Sequence, residues 1–190
     1  MLIFYNAPVL AKGKAEITFN LGPSLNQSGN IKALGEPNLS TGFGFNYYIN
    51  PKHGLGLGYN NESSFDGSTS IPQISDSSIT SFDIHYVYRH MIDRFHIVFE
   101  PGFGQQTLYY QTTDYYWGFL YNRDASTAFL LNYKFFLRYV VTGIGDGEDV
   151  GGQFFVGTGI VHNFSLDDEL KGRDISGNRM ALLFQLGLGW

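Results

Sequence analysis

The chain has 190 residues, enough for one sizeable folded unit and short for two. Charged residues make up 15% and aromatics 17%, with 24 glycines and no cysteine. This departs from the roughly 25% charge of soluble domains, and it excludes disulfides, thiolate metal sites and cysteine nucleophiles. The net charge of -5 and the scattered Lys and Arg exclude a basic nucleic-acid patch.

No apolar run approaches the roughly 18 residues that a membrane helix needs, which leaves membrane strands open. Residues 1–13 form an N-terminal segment in which Leu2–Tyr5 and Val9-Leu10-Ala11 resemble the tail of a secretory signal without its basic start. The segment reads either as a signal remnant or as a periplasmic extension, and residues 14–190 read as a barrel. From Ala15 the chain alternates Ala15, Ile17, Phe19 and Leu21 against Glu16, Thr18, Asn20 and Gly22, the period of two that marks a strand with unlike faces. Leu39–Ile49 repeats this with Phe43, Phe45 and Tyr47 against Gly42, Gly44 and Asn46, and Asn50–His53 makes a turn. A third strand sets Leu55, Leu57 and Tyr59 against Gly56, Gly58, Asn60 and Glu62, before a predicted long loop over Asp66–Ser78.

Phe82, Ile84, Tyr86 and Tyr88 then oppose Asp83, His85 and Arg89, and a tight connection at Met91–Asp93 leads to Phe95, Ile97, Phe99 and Phe103 against His96, Glu100, Gly102 and Gly104. Another long loop is predicted over Tyr110–Asp124, a sixth strand over Thr127–Val141 and a break at Gly143–Gly151. Gln153–Phe164 and Arg179–Trp190 complete eight strands, separated by the charged segment Ser165–Gly177. The pattern predicts an all-β, eight-stranded antiparallel up-and-down transmembrane barrel with long extracellular loops, short periplasmic turns and both termini periplasmic.

A soluble barrel with the same alternation would turn its apolar face inward. Here the opposite face carries Glu16, Glu62, Asp83 and Glu100 with Arg89, Lys134, Arg138 and Arg179, too many charges for a soluble core. Lipid exposure would cost about 2–4 kcal/mol for each Arg or Lys at mid-depth, so the ionic face is assigned to the lumen, as a network that plugs it. Glycines on the same parity make room for the long side chains. Tyr47, Tyr48, Tyr86, Tyr88, Phe95 and Trp190 read as an aromatic girdle at the short-turn end, and Phe65, Tyr109, Tyr110, Tyr115, Tyr116 and Trp117 as one at the other.

The strand rhythm from Ala15 to Trp190, the Glu100-Pro101-Gly102-Phe103-Gly104 strand and the terminal Leu186-Gly187-Leu188-Gly189-Trp190 resemble the small bacterial outer-membrane barrels of the OmpA transmembrane-domain, OmpX and OmpW types. The resemblance implies that Trp190, an aromatic last residue on an alternating strand, is read by the barrel-assembly machinery. It further implies a bacterial outer-membrane location, with outer-membrane lipid and lipopolysaccharide as partners. A weaker resemblance joins the chain to the lipid A deacylase barrels, whose serine, histidine and acid would correspond here to His162, Ser165 and Glu169 or Asp168. That family spaces its His and Ser two apart, and Phe164 fills the second position here. Strand alternation sends His162 and Ser165 to opposite faces unless the strand ends or bulges between them, and a serine needs its base within hydrogen-bond reach.

Three further features invite chemistry and are read as structural. His85 and His96 face inward near Asp83 and Glu100, where lumen hydrogen bonding competes with a metal or proton shuttle. The acidic, glycine-rich Gly143–Gly151 lacks the ligand spacing of an EF-hand loop. Asp167, Asp168, Glu169, Lys171, Arg173 and Asp174 form a charged loop that could touch lipopolysaccharide, though most charge runs are solvated. The reading is a monomeric, non-enzymatic outer-membrane protein without metal or cofactor, serving envelope integrity, surface interaction or restricted solute passage. The alternatives are an acyl hydrolase of lipid A or phospholipid and a channel for small hydrophobic compounds.

Overall fold

A computed structural model describes residues 14–30, 39–63, 74–113, 121–143, 152–166, 169–170, 173–174 and 176–190. The predicted 1–13 segment lies outside the described residues. In chain order the strands are β1 (Lys14–Gly29), β2 (Leu39–Tyr48), β3 (His53–Ser63), β4 (Ile74–Ile92), β5 (Phe95–Thr113), β6 (Tyr121–Gly143), β7 (Gln153–Leu166), β8 (Glu169–Leu170), β9 (Arg173–Asp174) and β10 (Gly177–Gly189). Eight of them close a barrel in the order β1-β10-β7-β6-β5-β4-β3-β2, every pair antiparallel, while β8 and β9 form a separate small hairpin. Reciprocal backbone hydrogen bonds between Ala15 and Trp190, each 2.9 Å, complete the seam. Closure leaves the barrel without an edge strand, which a hydrocarbon environment requires because nothing there can satisfy free backbone groups.

The period of two sorts the side chains as a membrane-spanning barrel must. Phe184 is 61% exposed, Leu188 58% and Phe43 57%, whereas Asp83 is fully buried and Arg138 and Arg179 are each 1% exposed. A protein dissolved in water would have to reverse this arrangement, because apolar surface is driven from water and charge is costly to bury. Lipid removes the first penalty, and pairing inside the lumen offsets the second.

At one end, here the turn end, the β2–β3 and β4–β5 connections are compact, whereas the expected short turn between β6 and β7 spans nine residues, 144–152. Asn50 Oδ1 accepts hydrogen bonds from the backbone N–H groups of Lys52 (2.9 Å) and His53 (3.0 Å), a side-chain mimic of a backbone turn. Asp93 adopts φ 54°, a left-handed conformation that Asp tolerates better than most residues, and so lets β4 reverse into β5 within two residues.

At the opposite end, the loop end, the strands run further than the sequence pattern suggested. Strand β4 begins at Ile74, inside the predicted Asp66–Ser78 loop, and β5 and β6 extend to Thr113 and from Tyr121, into the predicted Tyr110–Asp124 loop. Apolar alternation marks only the belt facing lipid. Backbone pairing continues beyond it through polar residues, as in Thr107 opposite Thr127 and Asn61 opposite Thr80. The Ser165–Gly177 segment likewise holds the end of β7 and the β8–β9 hairpin.

Tyr48 corrects the predicted girdle. It is 2% exposed and lies inside the barrel, because it shares parity with Gly42, Gly44 and Asn46. Tyr47, Tyr86, Tyr88, Phe95 and Trp190 do face outward. Of the loop-end aromatics, the side chains of Phe65, Tyr110, Tyr115, Tyr116 and Trp117 lie outside the described residues.

Candidate functional site

The lumen holds the chain's concentrated chemistry, in two tiers along the barrel axis. The tier at the turn end is built around Glu16 of β1. Its Oε1 accepts from Arg89 Nη1 at 2.6 Å, and its Oε2 accepts from Arg138 Nη1 at 3.0 Å and from the Tyr48 hydroxyl at 2.9 Å. The Arg89 guanidinium lies 3.8 Å from the centroid of the Tyr48 ring, and Arg138 lies 4.9 Å from that of Phe155, so aromatic faces stabilise both cations.

Arg138 then bridges to β5 and β10. Its Nη2 donates to Glu100 Oε1 at 3.0 Å, and its Nε donates to Gln185 Oε1 at 2.5 Å. Gln185 Nε2 in turn donates to Asn20 Oδ1 at 2.9 Å.

The chain of contacts continues through Asn46, whose Nδ2 donates to Glu100 Oε1 at 3.1 Å and whose Oδ1 lies 2.8 Å from His85 Nε2. The other ring nitrogen of His85 lies 2.6 Å from Asp83 Oδ1, and Lys134 Nζ donates to both Asp83 oxygens at 2.9 Å. Gly56 and Gly58 of β3 make this possible. A Cβ at Gly58 would meet Asp83 Oδ2 and Lys134 Nζ at 2.5 Å, and one at Gly56 would meet His85 Nε2 at 2.2 Å.

Above the Asp83–Lys134 level lies the second tier. Arg179 Nε stands 3.0 Å from Glu62 Oε2, and Arg179 Nη2 donates to Gln106 Oε1 at 2.9 Å. Gln106 Nε2 donates to Ser165 Oγ at 2.5 Å, and Asn163 Nδ2 crosses the lumen to Glu62 Oε1 at 2.9 Å. Among the described residues, Tyr48, Val87, Val98, Phe136, Val161, Ala181 and Leu183 form one buried cluster inside the barrel.

All eight charged residues singled out from the sequence therefore point inward, and each lies within ion-pair distance of an opposite charge. Sequence reasoning missed Tyr48, Asn46, Gln185 and Gln106, which join these pairs into networks. Their parity matched that of the charges and was the available signal.

Ser165 is inward and buried beside Gln106, whereas His162 is on the outer surface, 2.5 Å from the Tyr133 hydroxyl and stacked near Phe164. The two are not brought together. The side chain of Glu169 and all of Asp168 lie outside the described residues, as does Gly143–Gly151 beyond its first residue. His85 and His96 are both buried in the lumen, and among the described residues no group of His, Asp and Glu has the arrangement of a metal site. Trp190 is half-exposed at the seam.

Fold and lumen together define a closed eight-stranded transmembrane β-barrel, apolar outside and charged within. Solved structures with this fold include Neisserial surface protein A, at 11% identity over 93% of this chain and 95% of that one, with a TM-score of 0.60. The N-terminal β-barrel domain of Pseudomonas aeruginosa OprF matches at 14% identity over 94% and 97% of the two chains, TM-score 0.50. Ail, the attachment invasion locus protein of Yersinia pestis, in complex with the heparin analogue sucrose octasulfate, matches at 14% identity over 93% and 98%, TM-score 0.53. At these identities the likeness is one of fold. No family model matches the sequence, and no curated protein does.

Proposed function

We propose that this chain is a non-enzymatic, monomeric protein of the bacterial outer membrane whose barrel serves envelope integrity or surface interaction, its lumen closed to solutes. The observation that carries this reading is the turn-end network, in which Glu16, Arg89, Arg138 and Glu100 cross-brace four strands with each charge buried and paired. A solute path would have to break these contacts, and breaking one buried pair costs about 3–5 kcal/mol. Outer-membrane lipid and lipopolysaccharide are its surroundings, the termini face the periplasm, and Trp190 carries the assembly signal. Separation of His162 from Ser165 weighs against the acyl-hydrolase alternative.

The deciding experiment reconstitutes the purified barrel in planar bilayers and, in parallel, in vesicles of phospholipid with lipid A. The expected result is no stepwise conductance and no acyl release. Stepwise conductance would support the channel reading instead, and acyl release the hydrolase. Removing Trp190 is expected to lower insertion in cells more than refolding into detergent, measured by the gel shift between boiled and unboiled samples. Equal losses in both would argue against a signal read by machinery.

A further inference from the structure

The two tiers differ in how completely their polar atoms are partnered. Among the described residues, every buried side-chain nitrogen or oxygen without a hydrogen bond belongs to a residue outside the turn-end network: Asn60 Nδ2, both amide atoms of Asn132, Asn163 Oδ1, Glu62 Oε2, and Arg179 Nε and Nη1. The Glu62 and Arg179 Nε atoms do face each other at 3.0 Å, close enough for an ion pair but without the alignment of a hydrogen bond. The remaining five have no partner in the protein, although their residues are no more than 4% exposed.

Asn132, Asn163 and Arg179 are neighbours by construction, and Asn60 stands two residues before Glu62 on the inward face of β3. Asn132 of β6 is the register partner of Asn163 of β7, which is the register partner of Arg179 of β10, so three inward polar side chains stand side by side on consecutive strands. Glu62 reaches them across the lumen through Asn163 Nδ2. A bare amide or guanidinium nitrogen buried this way keeps its full desolvation cost, and a cluster of them is tolerated only with a partner.

The chemistry of the cluster selects the partner. It offers donors at Arg179 Nη1, Asn60 Nδ2 and Asn132 Nδ2, and acceptors at Asn132 Oδ1 and Asn163 Oδ1. An anion would meet the Glu62 carboxylate and the amide oxygens, and a cation would meet Arg179. A small neutral molecule that both donates and accepts fits, and water does so with the 2–4 polar partners that buried waters typically have. We propose that the loop-end tier is a hydration site: a cluster of long-lived buried waters held by Asn132, Asn163, Arg179 and Asn60, above a turn-end tier that is dry.

The test compares water contacts at the two levels by NMR on the full chain in detergent micelles. Laboratory-frame and rotating-frame water cross-relaxation is measured at the side-chain amides of Asn132 and Asn163, and at those of Asn46 and Gln185 in the turn-end tier. The expected result is cross-peaks of opposite sign in the two experiments, the mark of slowly exchanging water, at Asn132 and Asn163 only. Absence there, or equal cross-peaks at Asn46 and Gln185, overturns the proposal. A second measurement uses Asn132→Leu and its urea refolding midpoint. In a hydrated tier the variant strips waters of a partner and lowers the folding constant. In a dry one it removes an unpartnered amide and raises that constant by roughly tenfold, which would also overturn the proposal.

Discussion

The two tiers of the lumen were built by the same sequence device and reached different degrees of completion. At the turn end each carboxylate is shared: Glu16 among Arg89, Arg138 and Tyr48, Glu100 between Arg138 and Asn46, and Asp83 between Lys134 and His85. At the loop end one ion pair, Glu62 with Arg179, is surrounded by amides that keep unpaired atoms. Parity places a polar residue inside a barrel. Only convergence of long side chains from several strands satisfies it, and that convergence is densest where Tyr48, Phe136 and Phe155 exclude water and strengthen each charge pair.

Substitutions that reverse a shared charge should separate the tiers most. Arg138→Glu sets a carboxylate against Glu16 and Glu100 and is expected to lower stability by more than the loss of pairing alone. Arg138→Gln, which only removes the cation, should cost about 3–5 kcal/mol. Urea refolding midpoints measure both, and the comparison collapses if the two variants match wild type or each other.

A smaller effect is expected at the loop end. Glu62→Gln keeps an acceptor for Asn163 and weakens a misaligned ion pair, so its cost should be about 1–3 kcal/mol, below that of Arg138→Gln. An equal or larger loss at Glu62 would reverse the ranking of the tiers.

The smallest effect belongs outside the lumen, at Asp174 of β9. Its carboxylate accepts from the Ser176 N–H at 2.8 Å and from Asn30 Nδ2 at 3.0 Å, and chiefly the hydrogen bonds from Ser176 hold it below the usual aspartate range. A lowered carboxyl gives stability that is present above the unfolded-state value and is lost as pH falls through the folded one. Because Asp174 is fully exposed, Asp174→Asn should leave the urea midpoint unchanged. An NMR titration of Asp174 should show the depressed midpoint, and a normal one would remove the Ser176 and Asn30 bonds from the account.

Much of the architecture could be read from the chain because alternation is a local property. Phe43, Phe45 and Tyr47 against Gly42, Gly44 and Asn46 declare two faces without reference to any other strand, and the charges on the second face declare it the lumen. Tyr48 is legible by the same rule, although its ring suggests a membrane girdle: parity, not aromatic identity, decides its face. The strand ends were not legible, because the pairing of Thr107 with Thr127 rests on backbone hydrogen bonds that polar side chains do not advertise.

By itself the sequence determined the number of barrel strands, which face meets lipid, and which eight charges lie inside, since each follows from a period of two and the cost of charge in hydrocarbon. Which acid meets which base was decided only by the tertiary structure. Glu16 and Arg138 are 122 residues apart, and nothing local distinguishes that pairing from Glu62 with Arg138. Barrel closure and strand register set the height of each side chain and the strand it faces across the lumen, and these depend on all eight strands together.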